Sequence, residues 1–145
     1  MELIERARVI AVAAHAGQMD KAGKPYIEHP LAVAEKLRGE REKIVALLHD
    51  VVEDSPVTLE DIRQAGFGEE VVAALECITK RAGEAYGEYL ARVMSNPIAR
   101  SVKLADLAHN MDLSRFETMT ERDWQRHRKY EHAVAVLTGK QNDIP

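Results

Sequence analysis

Four imidazole and carboxylate side chains, far apart in the sequence, could together bind a metal ion. His49 and Asp50 end the apolar run IVALLHD, His29 directly precedes a proline, and Asp106 lies within an otherwise apolar helical pattern. An ionisable side chain buried without a partner destabilises a protein strongly, so such groups are expected to be paired or bound to metal. We therefore predict that His29, His49, Asp50 and Asp106 hold one divalent metal ion.

An acidic pair follows the first histidine-aspartate pair along the chain. Glu53 lies four residues after His49 and Asp54 lies four residues after Asp50, so each pair shares a helix face if the helix continues that far. Asn110 is likewise placed one turn after the aspartate of the later segment. Taken alone, the acidic pair also fits a solvated helix end, but the ordered set of residues is more specific than any one member.

A site of two imidazoles and two carboxylates indicates a particular chemistry. Mixed nitrogen and oxygen ligands with open positions suit Mn²⁺ or Fe²⁺, with Zn²⁺ less favoured. Such an ion lowers the pKa of a bound water and polarises a phosphoryl oxygen. The predicted reaction is therefore hydrolysis of a phosphate ester or a pyrophosphate. The remaining histidines are interpreted as surface or hydrogen-bonded core residues, namely His15, His109, His127 and His132.

The elements that must position these residues are predicted to be helices. Apolar residues recur at helical spacing, and 8 glycines and 5 prolines in 145 residues leave few breaks. The predicted fold is all-α, a bundle of about eight helices around the metal site, in a single domain over residues 1–145. The predicted helices span approximately residues 2–17, 30–37, 41–53, 58–66, 69–80, 84–94, 97–113 and 121–138.

The overall charge and hydropathy argue against several kinds of partner. The formal net charge is −4 and no basic tail is present, so we expect no binding to nucleic acid. The apolar runs are too short to cross a bilayer and no cleavable signal precedes them, which predicts a cytoplasmic protein without a membrane partner. The single cysteine, Cys77, is expected to be a small core residue.

Four blocks of the sequence resemble the HD superfamily, and more narrowly the hydrolase domain of the RelA/SpoT proteins and the stand-alone small alarmone hydrolases. They cover nearly the whole chain in the order and spacing of the family: HAGQMDKAGKPYIEHPLAVAEKL, IVALLHDVVEDSPVTLEDI, FGEEVVAALECITK and NPIARSVKLADLAHNMDLSRF. The family reaction removes the 3′-pyrophosphate of (p)ppGpp. The resemblance implies the same reaction here, with a phosphorylated nucleotide as substrate.

The resemblance also implies roles for individual residues. The four candidate ligands match the family's ligands, usually of Mn²⁺, and Glu53 with Asp54 match the acidic pair beside the nucleophilic water. Substrate contacts are implied for Lys21, Lys24 and Tyr26 on one loop, for Asn110, and for Arg128 in the last helix.

One position departs from the family. The long RelA/SpoT proteins commonly have an Arg-Lys pair where this chain has Asp20-Lys21, and loss of the arginine removes a surface on which a guanine base could stack. A related alarmone such as (p)ppApp, or another phosphorylated nucleotide such as NADPH, fits the same hydrolytic site. The base preference is therefore left open by the sequence.

Two further alternatives are an HD phosphohydrolase of different specificity and a non-catalytic module that binds a nucleotide. The acidic pair beside the metal argues against the second, because a binder has no need of it. The sequence ends before a synthetase or regulatory domain could begin, so we expect hydrolysis of alarmones without their synthesis. Exposed faces of the last helices could also form a homodimer.

Overall fold

Helices form almost all the regular structure in the computed structural model, which describes residues 1–139, apart from the side chain of residue 115. An isolated bridge between Met19 and Pro25 closes the loop after the first helix. The predicted all-α fold is confirmed. The α-helices are α1 Leu3–Ala14, α2 Glu28–Glu35, α3 Glu40–Leu48, α4 Val51–Asp54, α5 Leu59–Gln64, α6 Glu69–Ile78, α7 Tyr86–Met94, α8 Pro97–Asn110 and α9 Glu121–Leu137, and residues Leu113–Arg115 form a 3₁₀ turn.

Local capping signals set several of the helix ends. Thr58 caps α5 in a capping box with Asp61, as its sequence spacing predicts. Pro97 occupies the first turn of α8, where its missing N–H is not needed. Helix α2 begins two residues before the predicted start at Pro30, because a proline is tolerated anywhere in the first turn, whose N–H groups have no partner within the helix.

The predicted third helix, residues 41–53, is interrupted in the structure. Helix α3 ends at Leu48 and α4 starts at Val51, so His49 and Asp50 lie at the junction. The His49 ring Nδ1 lies 2.5 Å from the carbonyl oxygen of Ala46. In a continuous helix the backbone N–H of residue 50 would bond to that oxygen, so the side chain competes with the helix at this point.

Helices α3 and α8 lie at the centre of the bundle. Helix α3 packs against α1, α2, α6 and α8, while α8 packs against α2, α3, α6, α7 and α9. Every side chain from Ile44 to Leu48 is buried. Cys77, expected in the core, is only half-buried and packs against the core's edge. The metal-site candidates are therefore attached to the two most enclosed helices and to α2 beside them.

Among residues 1–139, no helix combines the length and the apolar character needed to cross a membrane.

Candidate metal centre and adjoining cavity

The four predicted ligands converge at one point in the core. His29 lies in the first turn of α2, His49 and Asp50 at the α3–α4 junction, and Asp106 on α8. Asp106 Oδ1 lies 2.7 Å from His29 Nε2 and 3.4 Å from His49 Nε2. Asp50 Oδ2 lies 3.1 Å from His49 Nε2 and 3.9 Å from His29 Nε2. Three helices that are distant in sequence thus bring two imidazoles and two carboxylates together.

The hydrogen bonding of His49 indicates that its Nε2 faces a cation. A carbonyl oxygen can only accept, so the contact with Ala46 requires that Nδ1 carry the proton. In the neutral ring Nε2 then holds a lone pair, and this buried atom has no hydrogen-bond partner among the described residues. Two carboxylate oxygens lie within 3.4 Å of it. Three facing acceptors repel one another unless a positive charge lies between them.

The electrostatics around His49 favour a positive charge at this point, either a proton on Nε2 or a metal ion in its place. Burial by itself would lower the pKa of His49, but the carboxylates of Asp50 and Asp106 outweigh burial and raise this pKa well above its ordinary value. The same carboxylates would attract a metal ion. One ligand atom from each of His29, His49 and Asp50 lies within 4.8 Å of the others, a spacing compatible with a shared ion. The residues present therefore fit a divalent metal.

Two residues that the sequence analysis did not assign to the site support these ligands. His29 Nδ1 lies 2.7 Å from Nδ1 of His109, which had been interpreted as an ordinary surface or core histidine. Lys103 Nζ donates to Asp106 Oδ2 at 2.9 Å. Burial would raise the pKa of Asp106, but the Lys103 ammonium, followed by the two histidines, holds it well below its ordinary value. Both supporting residues lie on α8, three residues before and three residues after Asp106. Residues at this spacing share a helix face, so the sequence could have predicted that they lie beside Asp106.

The acidic pair, Glu53 and Asp54, lies at the edge of the metal cluster, on α4. Glu53 Oε1 accepts a hydrogen bond from the backbone N–H of Lys80 at 2.6 Å, which fixes this carboxylate against the end of α6. Burial, and then the charge of Asp50, raise the pKa of Glu53 against the opposing effect of that hydrogen bond. The pKa of Asp54 is raised by burial and by Asp50 as well. Both carboxylates are thus weaker acids than usual, which makes them better acceptors for a proton.

Tyr26 connects the metal cluster to the loop between α1 and α2. Its hydroxyl donates to Asp50 Oδ2 at 2.6 Å, and its ring packs on that of His15 with centroids 4.9 Å apart. Burial and the charge of Asp50 raise the pKa of Tyr26, so the phenol remains protonated and keeps donating. His15 is buried, with Nδ1 2.9 Å from Gln18 Oε1, as expected for a hydrogen-bonded core histidine.

A cavity of about 280 Å³ adjoins the cluster between the loop and α9. Tyr26 and Asn110 line it, and each also contacts a candidate ligand, because Asn110 Nδ2 donates to Asp106 Oδ1 at 3.3 Å. Its other lining residues are Met19, Asp20, Lys21, Leu113, Phe116, Met119, Asp123, Arg126, His127 and Tyr130. The volume is near the lower end of the range of small-molecule sites, roughly 300–1,000 Å³.

The remaining predicted substrate contacts lie elsewhere. Lys24 lines a separate depression beside His29. Arg128 is not among the residues that line the cavity; its guanidinium is exposed and lies 3.2 Å from Glu121. Arg126 lines the cavity instead of Arg128, because side chains two residues apart on a helix point in nearly opposite directions. The sequence analysis missed this face, although Asp123, His127 and Tyr130 recur along α9 at helical spacing and could have identified it.

Comparisons with known proteins agree with this geometry. A family model described as HD domain matches residues 7–86, more than half of the chain. A probable guanosine-3′,5′-bis(diphosphate) 3′-pyrophosphohydrolase of Synechocystis is 43% identical over 124 residues, which are 75% of this chain and 16% of that protein. A GTP pyrophosphokinase of Streptomyces coelicolor is 40% identical over 126 residues, 78% of this chain and 15% of that protein. The chain thus spans about a sixth of the length of these curated relatives.

One solved structure resembles almost the entire chain. It is a metazoan ortholog of SpoT, described as hydrolysing ppGpp, with a TM-score of 0.77 and 25% sequence identity over 97% of this chain and 88% of the other. The resemblance to RelA/SpoT hydrolase domains that the sequence motifs predicted is therefore confirmed. With its helical fold, its cluster of histidine and aspartate residues and the matched family model, this chain belongs to the HD-domain family.

Proposed function

We propose that this protein hydrolyses the 3′-pyrophosphate of guanosine 3′,5′-bis(diphosphate), (p)ppGpp, or of a closely related alarmone, with the help of a divalent metal ion. The observation that carries the proposal is the buried, unpartnered Nε2 of His49 facing the carboxylates of Asp50 and Asp106. The activities for which the Synechocystis relative and the metazoan SpoT ortholog are named support the choice of substrate.

In this proposal the metal is held by His29, His49, Asp50 and Asp106. The donor set of two imidazoles and two carboxylates favours Mn²⁺, with Fe²⁺ or Zn²⁺ as alternatives. When bound, such an ion lowers the pKa of water and polarises a phosphoryl oxygen. The buried Lys103 ammonium and the Tyr26 hydroxyl each donate to one of the carboxylates, and so hold the oxygens in place for the ion.

The acidic pair provides the proton transfer. Glu53 and Asp54 have raised pKa values and lie one helical turn beyond His49 and Asp50, so we assign them to orienting the attacking water and accepting its proton. The hydrogen bond from the Lys80 backbone keeps Glu53 from rotating into solvent. Tyr26 stays protonated and is assigned to positioning.

The cavity would receive the nucleoside. Asn110 and Tyr26 form its wall next to the metal cluster, Lys21 lies on its loop side, and the apolar side chains of Phe116 and Met119 suit a base. Asp20 also lines the cavity, with Oδ1 accepting the backbone N–H groups of residues 22 and 24 at 2.9 Å each. This carboxylate therefore stabilises the loop. Because Asp20 offers no surface on which a guanine base could stack, (p)ppApp and NADPH are kept as alternative substrates.

The decisive experiment is a product analysis. Purified protein is incubated with Mn²⁺ and, separately, with ppGpp, ppApp and NADPH, and the products are resolved by ion-exchange chromatography. The proposal expects GDP and pyrophosphate from ppGpp, with no reaction in EDTA. Orthophosphate from NADPH alone would assign the second candidate. Tight nucleotide binding without turnover of any substrate, in the wild type and in Asp50→Ala alike, would make the protein a binding module.

A further inference from the structure

Helix α4, which carries the acidic pair, is a single turn of four residues. A helix this short gains almost no stability from its own hydrogen bonds, so contacts with other elements must fix its position. Two such contacts reach the acidic pair. The backbone N–H of Lys80 donates to the Glu53 carboxylate at 2.6 Å. From the other side, Nε2 of Gln18 donates to the backbone carbonyl of Asp54 at 3.1 Å.

The hydrogen-bond partners of Gln18 determine the orientation of its amide. Nε2 lies 3.1 Å from the carbonyl oxygens of both Ala14 and Asp54. Carbonyl oxygens can only accept, so the two N–H donors of the amide point at them and Oε1 points the other way. Oε1 lies 2.9 Å from Nδ1 of His15, which therefore carries the ring proton and donates it. Both donors and the oxygen of the amide are thus used.

The buried ring of His15 selects this orientation of the amide. If the amide were turned over, its N–H groups would face the donor on Nδ1. In the neutral ring with its proton on Nδ1, Nε2 keeps a lone pair, and this buried atom has no hydrogen-bond partner among the described residues. An unpaired buried acceptor destabilises the fold, so His15 contributes through its contact with Gln18 and not through Nε2.

The same two residues also contact Tyr26. The backbone N–H of Tyr26 donates to the carbonyl oxygen of Gln18 at 2.8 Å, and the Tyr26 ring packs on the ring of His15. The Tyr26 hydroxyl in turn donates to the candidate ligand Asp50. His15 and Gln18 therefore connect α1 both to the end of α4 and to the loop residue that positions a ligand.

We infer that Gln18 and His15 are positioning residues of the proposed reaction. Gln18 holds the end of α4 where Glu53 and Asp54 reach the attacking water, and His15 fixes the Gln18 amide in the orientation that this bond requires. The inference rests on the proposed function, which assigns the acidic pair to the water. Neither positioning residue is a candidate metal ligand or is among the residues that line the cavity. Their loss should therefore affect turnover and leave the binding of metal and substrate unchanged.

The test compares three variants in steady-state kinetics with Mn²⁺ and ppGpp. Gln18→Met keeps the length of the side chain but not its hydrogen bonds, and His15→Leu removes the donor to the amide. Both should lower kcat about tenfold or more and leave KM and Mn²⁺ affinity unchanged, because a misplacement of about 1 Å can slow a reaction about 10²-fold. His15→Asn should keep most of the wild-type kcat, since its amide nitrogen replaces Nδ1 as the donor.

A second measurement does not depend on turnover. Hydrogen–deuterium exchange, followed by mass spectrometry on the Mn²⁺-loaded protein, reports how firmly the backbone of residues 51–54 is held. Exchange in this segment should be faster in Gln18→Met and His15→Leu and unchanged in His15→Asn. Gln64→Met is the matched control, because the Gln64 amide is exposed on α5 and bonds to Glu60 one turn earlier. It should alter neither exchange nor kcat.

Three results would overturn the inference. Wild-type kcat in Gln18→Met would make the bond to α4 merely structural, even if exchange became faster. A raised KM with unchanged kcat would place Gln18 in substrate binding instead. A loss of kcat in His15→Asn as large as that in Gln18→Met would show that His15 does not act through the amide. Unchanged Mn²⁺ affinity shows that each variant is folded, and if His15→Leu does not fold, the other two variants decide.

The two measurements separate this inference from the proposed function. If the wild type does not hydrolyse ppGpp but α4 exchanges faster in Gln18→Met and not in His15→Asn, the contact between the pair and α4 stands and the proposed reaction fails. If ppGpp is hydrolysed and Gln18→Met keeps the wild-type kcat, the reaction stands and the positioning role fails.

Discussion

The metal cluster and the cavity beside it are built in different ways. Three of the four candidate ligands, His29, His49 and Asp106, are about 4% exposed, and they lie on or next to helices that also form the hydrophobic core. The cavity lies between a loop and the last helix, and of its charged lining residues Lys21 is exposed and Asp20 is half-buried. A substitution in the cluster disturbs the core, whereas one in the cavity does not. The reaction chemistry is therefore tightly constrained in this fold, and the choice of substrate is free to vary.

The largest effect is expected at the cluster itself. Asp50→Ala removes a carboxylate that faces both histidines and should abolish metal binding, with a loss of hydrolysis well beyond the roughly 10–100-fold typical of residues that only support a ligand. Metal content by mass spectrometry and ppGpp turnover check it. Full Mn²⁺ occupancy in the variant would remove Asp50 from the ligand set.

Glu53→Ala should separate turnover from metal binding. The carboxylate is assigned to the water and not to the metal, so Mn²⁺ affinity should be retained while kcat falls about 10²–10⁴-fold, the usual contribution of an acid–base group. Calorimetric titration with Mn²⁺ and steady-state kinetics measure the two quantities. An unchanged kcat would contradict the assigned role.

His109→Gln tests whether the cluster extends to residues behind the ligands. Because His109 contacts His29 on the side away from Asp106, we expect Mn²⁺ affinity to fall about 10–100-fold as the orientation of His29 is lost. His132→Gln is the control, since that histidine is exposed on α9. Equal Mn²⁺ affinity in the two variants would make the contact between the two histidines incidental.

At the cavity, the comparison is between two neighbouring arginines. Arg126 lines the cavity and Arg128 faces solvent beside Glu121, so Arg128→Gln should lower kcat/KM for ppGpp less than Arg126→Gln does. If Arg128→Gln lowers kcat/KM more than Arg126→Gln does, the result would favour the substrate contact that the family resemblance implies for Arg128. The double variant shows whether the two effects are independent.

The smallest effect concerns stability. Thr120→Ala removes the capping box of α9 and should lower the free energy of unfolding by about 1 kcal/mol. Chemical denaturation monitored by circular dichroism measures it. Mn²⁺ affinity should not change, because the hydroxyl of Thr120 bonds only to the backbone N–H of Asp123 within the capping box.

Much of the fold followed from local signals. Apolar periodicity located the helices, and the ends of α5 and α8 matched Thr58 and Pro97 because capping depends only on neighbouring backbone groups. The interruption between α3 and α4 escaped prediction. It involves the side chain of His49 competing for a backbone carbonyl, and nothing in the periodicity of an apolar run records that competition.

The sequence by itself determined which residue types could hold a metal and which chemistry they would support, because imidazole and carboxylate groups in apolar segments require partners wherever they lie. Only the tertiary structure decided which partners they have. His29 meets His109 across 80 residues of chain, and Lys21 meets Arg126 across a cavity, because the packing of whole helices sets these approaches. Spacing along one helix shows which residues share a face, but it cannot show what that face is turned towards.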